Sequence, residues 1–82
     1  MKKDTVVLIS GCSSGIGLAL AREFDRRGYY VFATARRAST VDIRSSRADI
    51  SSLDVTNPKS IEMCVKHVMR QAGKIDILIN NA

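Results

Sequence analysis

Four short apolar runs recur along the chain, and each has the length of a β-strand. Residues 5–10 are nearly all apolar and rich in β-branched side chains, which is typical of a parallel strand buried on both faces. Residues 29–34 and 75–79 share this character. Residues 49–55 predict a weaker third strand, because two serines interrupt the apolar pattern.

Helical periodicity separates these runs. In residues 16–27 an apolar residue recurs at every fourth position opposite a charged face, and a glycine follows where a helix C-cap is expected. A second helix is predicted to begin with Asn57 as N-cap and Pro58 at the first helical position, and to end at Gly73. Residues 38–48 show no clear stripe, and they predict either a short helix or a loop.

The resulting order, β-α-β-(α)-β-α-β, predicts an α/β fold with a parallel sheet, helices on both faces and right-handed crossovers. With 82 residues the chain has room for a single small domain. We find no internal repeat, linker or low-complexity tract. In a sheet of this kind, ligands bind outside the carboxyl ends of the strands, so the segments that follow each strand are the candidate site.

Composition and charge narrow the class of protein. The net charge of +5 comes from scattered basic residues, and no basic helix or stacking aromatics accompany them, so we expect no nucleic-acid partner. Cys12 and Cys64 fit a reducing compartment, and the sequence contains no metal-ligand cluster. The first apolar run is too short for a signal peptide or a membrane span. We therefore predict an intracellular, cytoplasmic protein without a bound metal.

The first strand leads into the glycine-rich segment SGCSSGIG, residues 10–17, which opens the first predicted helix. Gly11, Gly15 and Gly17 permit unusual backbone angles and close approach of a ligand, and the helix N-terminus attracts an anion. Ser13 and Ser14 add hydroxyl donors. The spacing differs from the standard G-x-G-x-x-G fingerprint, but its place between strand and helix predicts a phosphate-binding loop rather than a plain turn.

Two basic residues follow the second strand. An NAD site places an acidic residue about 20 residues after the glycine loop, where it bonds the ribose 2′-hydroxyl. Here Ala35 and then Arg36 occupy this place. Because an arginine pairs with a 2′-phosphate and an acid repels it, the sequence favours NADP(H) over NAD(H). The alternative is that Arg36 and Arg37 are simply solvated.

Polar side chains also follow the third and fourth strands. Asp54 could accept a hydrogen bond from the exocyclic amine of adenine, or it could help to start the helix near Asn57. Asn80 and Asn81 could tie strand ends together or contact a ribose. His67 and Cys12 are more typical of a surface residue and a small loop residue than of catalytic groups.

Together the segments SGCSSGIG, LDVT and NNA resemble the N-terminal half of the short-chain dehydrogenase/reductase family, over nearly the whole chain. The resemblance implies a Rossmann-type sheet in the order 3-2-1-4 and a pyridine nucleotide as ligand. It places Gly11, Ser13, Ser14, Ile16 and Gly17 beside the pyrophosphate, Arg36 at the 2′-phosphate and Asp54 at the adenine, with Asn81 and Ala82 near the ribose. The runs GCSSGIGLALA and ATARR are similar to the branch acting on steroids, retinoids and acylated dihydroxyacetone phosphate.

Some features depart from the family pattern. Ser10 replaces the usual threonine, residues 38–52 lack the expected leucine-rich helix and apolar strand, and the chain ends at Ala82, before the glycine of N-N-A-G. The family's catalytic Ser and Tyr-x-x-x-Lys follow the fourth strand, and neither Tyr29 nor Tyr30 matches that motif.

We therefore expect residues 1–82 to be the first half of a dinucleotide-binding domain, truncated after strand four, that binds the nucleotide of an oxidoreductase but contains no catalytic residue. A small-molecule or lipid-type substrate, and association with a membrane or lipid droplet, are expected only of a full-length form. The alternative is a non-catalytic nucleotide-binding or interaction module that uses the open apolar edge of strand four, which also permits an oligomer.

Overall fold

A parallel four-stranded sheet flanked by helices forms the centre of the protein in a computed structural model, which describes residues 4–81. The elements in chain order are β1 (Val6–Ile9), α1 (Gly15–Arg26), β2 (Tyr30–Ala35), a 3₁₀ turn (Ala38–Thr40), β3 (Asp49–Ser52), α2 (Pro58–Ala72) and β4 (Ile77–Ile79). Neither α-helix in this part of the chain is long and apolar enough to cross a membrane.

The strand order is β3-β2-β1-β4, and all three pairings are parallel. Strand β1 lies in the middle, with Val7 opposite Val31 of β2 and Ile77 of β4. All four residues of β1 are buried, as its unbroken apolar run predicts. The predicted fold class and strand order are confirmed.

Alternating side chains of the sheet build a core on each face. On the side of α1, Val7 and Ile9 of β1 pack with Val31 of β2. On the opposite side, Leu8 and Phe32 pack with residues of α2. Since successive residues of a strand point to opposite faces, the two helices cover the two faces of one sheet.

The helix ends follow the sequence signals. The side chain of Asn57 accepts hydrogen bonds from the backbone N–H groups of Lys59 and Ser60, at 2.9 and 3.3 Å, and Pro58 is the first residue of α2. Gly73 ends this helix with a φ of +77°, in the left-handed region that suits glycine. The predicted start and end of α2 are confirmed.

Residues 38–48 form one 3₁₀ turn followed by irregular chain, so neither predicted alternative describes the whole segment. Val41 is buried in the core on the α1 side. Arg22 of α1 donates to the carbonyl of Asp42 at 2.8 Å, and Arg47 donates to the carbonyl of Asp25 at 3.1 Å. These long-range bonds to α1 hold the segment where the sequence shows no periodic pattern.

Strands β3 and β4 are shorter than their apolar runs. Before β4, Asp76 forms hydrogen bonds with both backbone polar groups of Val6. Its Oδ2 accepts from the Val6 N–H at 2.7 Å, and its own N–H donates to the Val6 carbonyl at 3.0 Å. A side chain thus replaces one backbone acceptor, and the regular strand begins at Ile77. Strand β4 lies at the edge of the sheet, and Leu78 is 66% exposed there.

Candidate functional site

A cavity of about 660 Å³ opens at the carboxyl ends of the strands, where ligands bind in sheets of this type. Each of the four strands contributes residues that follow its last position. The lining residues are Ser10, Gly11, Ser13, Ala35, Arg36, Arg37, Thr40, Leu53, Asp54, Val55 and Asn81.

The glycine-rich loop forms one wall of the cavity and leads into α1. Gly11 and Gly15 have φ values of +69° and +61°, which residues with a Cβ rarely adopt. Ser14 is the N-cap of α1 in an extended conformation, and its side chain makes no capping bond. The first N–H groups of a helix lack intrahelical partners, so this end of α1 presents donors and a positive dipole to an anion.

The loop is packed tightly against the end of β4. A Cβ on Gly11 would overlap the backbone oxygen of Asn81, and a Cβ on Gly17 would overlap the backbone oxygen of Gly11. Gly17 is buried on the first turn of α1. This glycine therefore allows close packing beneath the loop, while Gly11 lines the cavity itself.

Hydrogen bonds join the same two chain segments. Ser10 Oγ accepts from the Asn81 N–H at 2.9 Å and donates to Asn80 Oδ1 at 3.2 Å. The Asn81 side-chain amide donates to the Gly11 carbonyl at 3.2 Å. These bonds show the predicted tie between strand ends. The hydroxyl at Ser10, kept where the family pattern has threonine, is part of it.

A second wall of the cavity is basic. Arg36 and Arg37 follow β2, and the Arg36 side chain is 83% exposed. Arg36 Nε lies 4.0 Å from Asp54 Oδ2. Thr40 donates to the Arg37 carbonyl through both its N–H, at 3.0 Å, and its Oγ1, at 2.6 Å.

Asp54 connects this wall to α2. Its Oδ1 accepts hydrogen bonds from the Thr56 hydroxyl at 2.7 Å and from the Thr56 N–H at 3.0 Å. These two bonds, and to a smaller extent the charge of Arg36, hold the pKa of the Asp54 carboxyl below its usual value. Its N–H donates to Ser60 Oγ at 2.9 Å. Asp54 thus shapes the turn before α2, and its second oxygen lies beside Arg36.

Some of the site residues predicted from the sequence line this cavity, and others do not. The predicted residues that line it are Gly11, Ser13, Arg36, Asp54 and Asn81. Ser14, Ile16 and Gly17 lie at the start of α1 outside the lining, and Ile16 is 72% exposed. Ala82 lies outside the described residues.

Several lining residues were not assigned a contact with the ligand from the sequence. They are Ser10, Ala35, Arg37, Thr40, Leu53 and Val55. Five of these lie within one residue of a predicted site residue, so their proximity to it was a usable signal. Thr40 carried no such signal, because only the 3₁₀ turn brings it back to the end of β2.

The reactive side chains elsewhere do not extend the site. Cys12 is buried, and burial raises the pKa of its thiol, so the nucleophilic thiolate is disfavoured. Tyr30 begins β2, at the opposite end of the strand from the cavity. Within residues 4–81 no group of three or more His, Cys, Asp or Glu side chains is arranged to hold a metal ion.

Comparisons with known proteins agree with this geometry. The sequence model of the short chain dehydrogenase family matches residues 5–82. An uncharacterized oxidoreductase of Schizosaccharomyces pombe is 42% identical over 78 residues, and retinol dehydrogenase 8 of Bos taurus is 39% identical over 87. A short-chain dehydrogenase of known structure from Streptomyces avermitilis superimposes with a TM-score of 0.87 at 38% identity, covering 95% of this chain and 30% of that one.

The matched region is a part of each relative. It covers 95% of this chain but 27% of the S. pombe protein, and 93% of this chain but 27% of the bovine enzyme. The chain therefore spans about a third or less of the length of these relatives. The family match extends over nearly all of its residues, from the first strand to the end of the chain. This protein belongs to the short-chain dehydrogenase family.

Proposed function

We propose that this chain is the NADP(H)-binding part of a short-chain oxidoreductase, and that the cavity at the strand ends holds the nucleotide. The observation that carries the proposal is the arrangement of the two walls. A glycine loop at a helix N-terminus and two arginines line one cavity of about 660 Å³. The family binds nicotinamide cofactors, so the general class of ligand follows from membership.

The glycine-loop wall suits the pyrophosphate. Gly11 and Ser13 line the cavity there, and Ser14 leaves the first turn of α1 without a side-chain cap. A pyrophosphate at that point accepts hydrogen bonds from free N–H groups and lies at the positive end of the helix dipole. Gly17 and Ile16 support this wall as parts of the first turn of α1.

The arginine wall suits a 2′-phosphate. No acidic side chain follows β2 directly, where an acid would accept from the ribose 2′-hydroxyl of NAD. Arg36 stands there instead, largely exposed and so able to pair with a phosphate. Leu53, Asp54 and Val55 line the same cavity, which supports the proposal that an adenine ring lies there with its amine toward the Asp54 carboxylate.

The reaction follows from the family rather than from this cavity. When bound, a nicotinamide cofactor supplies hydride transfer between an alcohol and a carbonyl. Retinol dehydrogenase 8 is among the relatives, and by analogy we propose a lipid-type substrate for the full-length form of this protein. The residues of this chain bind and orient the nucleotide, and we assign them no proton or hydride transfer.

The proposal is tested by titrating the chain with NADPH and NADH and following the nicotinamide fluorescence. We expect tighter binding of NADPH. Arg36→Asp should weaken the binding of NADPH but not of NADH, because the introduced acid repels the 2′-phosphate and can accept a hydrogen bond from the ribose 2′-hydroxyl of NADH. Arg70→Asp is the matched control, since Arg70 lies on α2 away from the cavity. Equal affinity for the two nucleotides, or a preference for NADH, contradicts the cofactor assignment.

A second candidate is an interaction module without catalysis, and one observation favours it. Strand β4 lies at the sheet edge with Leu78 exposed, and beside it Ile61 and Val65 of α2 line an apolar groove of about 240 Å³. Exposed apolar edges promote pairing with other strands. Leu78→Lys should abolish any self-association seen by analytical ultracentrifugation without changing nucleotide affinity. A wild-type chain that is monomeric at high concentration argues against this candidate.

A further inference from the structure

A buried hydroxyl on β2 lies close to the start of the glycine-rich loop. Within residues 4–81 the buried polar side chains are those of Ser10 and Thr34, and Thr34 is fully buried. Its neighbours along the strand are the apolar residues Ala33 and Ala35. Packing alone does not explain a threonine here, because valine has the same shape and avoids the cost of burying a hydroxyl.

Thr34 forms hydrogen bonds on both sides of the first bend of the loop. Its Oγ1 donates to the Ile9 carbonyl at 2.8 Å, and its own carbonyl accepts from the Cys12 N–H at 2.8 Å. Between these two points lies Gly11, whose φ of +69° turns the chain away from the direction of β1. One residue of β2 therefore fixes the backbone just before and just after the bend.

The Thr34 hydroxyl is the stronger of two side-chain donors near the Ile9 carbonyl. The other is the Cys12 thiol, whose Sγ lies 3.4 Å from the same oxygen. A thiol is a weak donor, and Ile9 is fully buried, so neither the thiol nor solvent replaces the hydroxyl well. Without the hydroxyl, the end of β1 would be held less firmly, and the loop would be freer to adopt other conformations.

The bend held by Thr34 is part of the surface offered to the nucleotide. Ser10, Gly11 and Ser13 line the cavity, and α1 begins shortly after them with N–H groups that lack intrahelical partners. These groups bind a phosphate only when they converge on one point, so the shape of the bend affects affinity. Thr34 itself does not line the cavity, and its effect on the ligand is therefore indirect.

We propose that Thr34 is a positioning residue, which holds the phosphate-binding loop in the shape that accepts the pyrophosphate of the nucleotide. The inference rests on the proposed function, because it concerns the same cavity. It does not depend on the choice between NADP(H) and NAD(H), since both contain the pyrophosphate. It assigns this effect to the hydroxyl of Thr34 and not to the bulk of its side chain.

The test separates the hydroxyl of Thr34 from its methyl group. Thr34→Val removes the hydroxyl and keeps the shape, whereas Thr34→Ser keeps the hydroxyl and removes the methyl. Val68→Ala is the control for a loss of buried volume, since Val68 is fully buried in the core on the α2 side. Dissociation constants for NADPH and NADH are measured through the nicotinamide fluorescence, and stability is measured by urea unfolding.

We expect Thr34→Val to weaken both nucleotides by the same factor, about three- to tenfold, because the loss of one hydrogen bond shifts a conformational equilibrium by roughly this much. Thr34→Ser should bind both nucleotides within about twofold of the wild type, although the missing methyl lowers its urea midpoint. Val68→Ala should also lower the midpoint and leave both constants unchanged. If Thr34 were only structural, affinity would follow the urea midpoint across the three variants.

A second measurement follows the loop without any ligand. Cys12 and Cys64 are both buried free cysteines, one in the loop and the other on α2. Alkylation by iodoacetamide, located by mass spectrometry, reports how often each thiol becomes accessible through opening of its surroundings. Thr34→Val should speed the alkylation of Cys12 about three- to tenfold relative to that of Cys64, and Thr34→Ser should not.

The outcomes separate this inference from the proposed function. If the wild-type chain binds neither nucleotide, both fail. If the wild type binds NADPH but Thr34→Val binds it equally tightly, or Thr34→Ser loses as much affinity as Thr34→Val, the inference is wrong and the proposed function stands. Equal acceleration at Cys12 and Cys64 also overturns the inference, because it indicates global unfolding. A wild type that prefers NADH contradicts the NADP(H) assignment, whereas an equal loss for both nucleotides in Thr34→Val still supports the role of Thr34.

Discussion

Replacing Gly11 by alanine tests the close contact between the glycine loop and β4. Two separate costs arise at this position. The φ of +69° is unfavourable for any residue with a Cβ, at about 1–2 kcal/mol. The new Cβ would also overlap the backbone oxygen of Asn81, and forced overpacking costs about 1–3 kcal/mol more.

Gly73→Ala is the matched control, since Gly73 has a φ of +77° but nothing within 4 Å of an added Cβ. It should therefore show the conformational cost alone, about 1–2 kcal/mol. The expected loss for Gly11→Ala is about 2–5 kcal/mol, a large share of the roughly 4–12 kcal/mol expected for a domain of this size. The difference between the two losses in unfolding free energy measures the cost of the overlap between the new Cβ and the backbone oxygen of Asn81.

The assay is urea unfolding followed by circular dichroism, with the midpoints compared at constant slope. Trimethylamine N-oxide, which strengthens burial, brings Gly11→Ala into the measurable range if it is unfolded in buffer. Equal losses for the two glycine variants would refute the argument. So would full rescue of Gly11→Ala by Asn81→Ala, because the contact is with the backbone oxygen of Asn81 and persists when the side chain is removed.

Three further predictions concern single contacts. The hydrogen bond from the Val6 N–H is the main cause that lowers the pKa of Asp76 in the folded state. Ionised Asp76 therefore stabilises the fold at pH values above its unfolded-state pKa. This stabilisation is lost as the pH falls through the lower folded-state pKa. Urea midpoints measured between pH 2 and 7 should thus fall less steeply for Asp76→Asn than for the wild type. Asn57→Ala removes the N-cap of α2 and should cost about 1 kcal/mol in urea unfolding, whereas an unchanged midpoint contradicts the capping role. His67→Ala removes the 2.9 Å contact with Asp49 and should lower the thermal midpoint, and no change would show that this contact adds nothing.

The strands of the sheet were predictable because their signal is local, whereas the order of the strands came from the family resemblance. The run that became β1 is apolar at every position, and buried parallel strands have this pattern wherever they occur. Asn57, Pro58 and Gly73 marked the ends of α2 through the chemistry of their own backbone. The start of β4 was not predictable in the same way, since it depends on a hydrogen bond from Val6 to a side chain 70 residues away.

The irregular segment between the 3₁₀ turn and β3 shows the same limit more strongly. Its position is set by two hydrogen bonds to α1. Arg22 of α1 donates to the carbonyl of Asp42, and Arg47 donates to the carbonyl of Asp25 in α1. No periodicity records such bonds, because each joins residues about 20 positions apart that are close only once the sheet has formed. A pattern-based prediction therefore had to leave a helix and a loop as alternatives.

In the candidate site, the sequence identified residues that line the cavity, but it did not show the contacts that these residues make with one another. The resemblance places Asn81 near a ribose, and the structure adds that its amide donates to the Gly11 carbonyl and its N–H donates to Ser10 Oγ. These bonds join the glycine loop to the edge strand, and the overlap predicted for a Cβ on Gly11 shows how little space separates them. The shape of the loop that faces the nucleotide thus depends on how β4 is seated against β1. A change at Asn81 should consequently alter nucleotide affinity through the loop, even where the asparagine itself contacts no ligand.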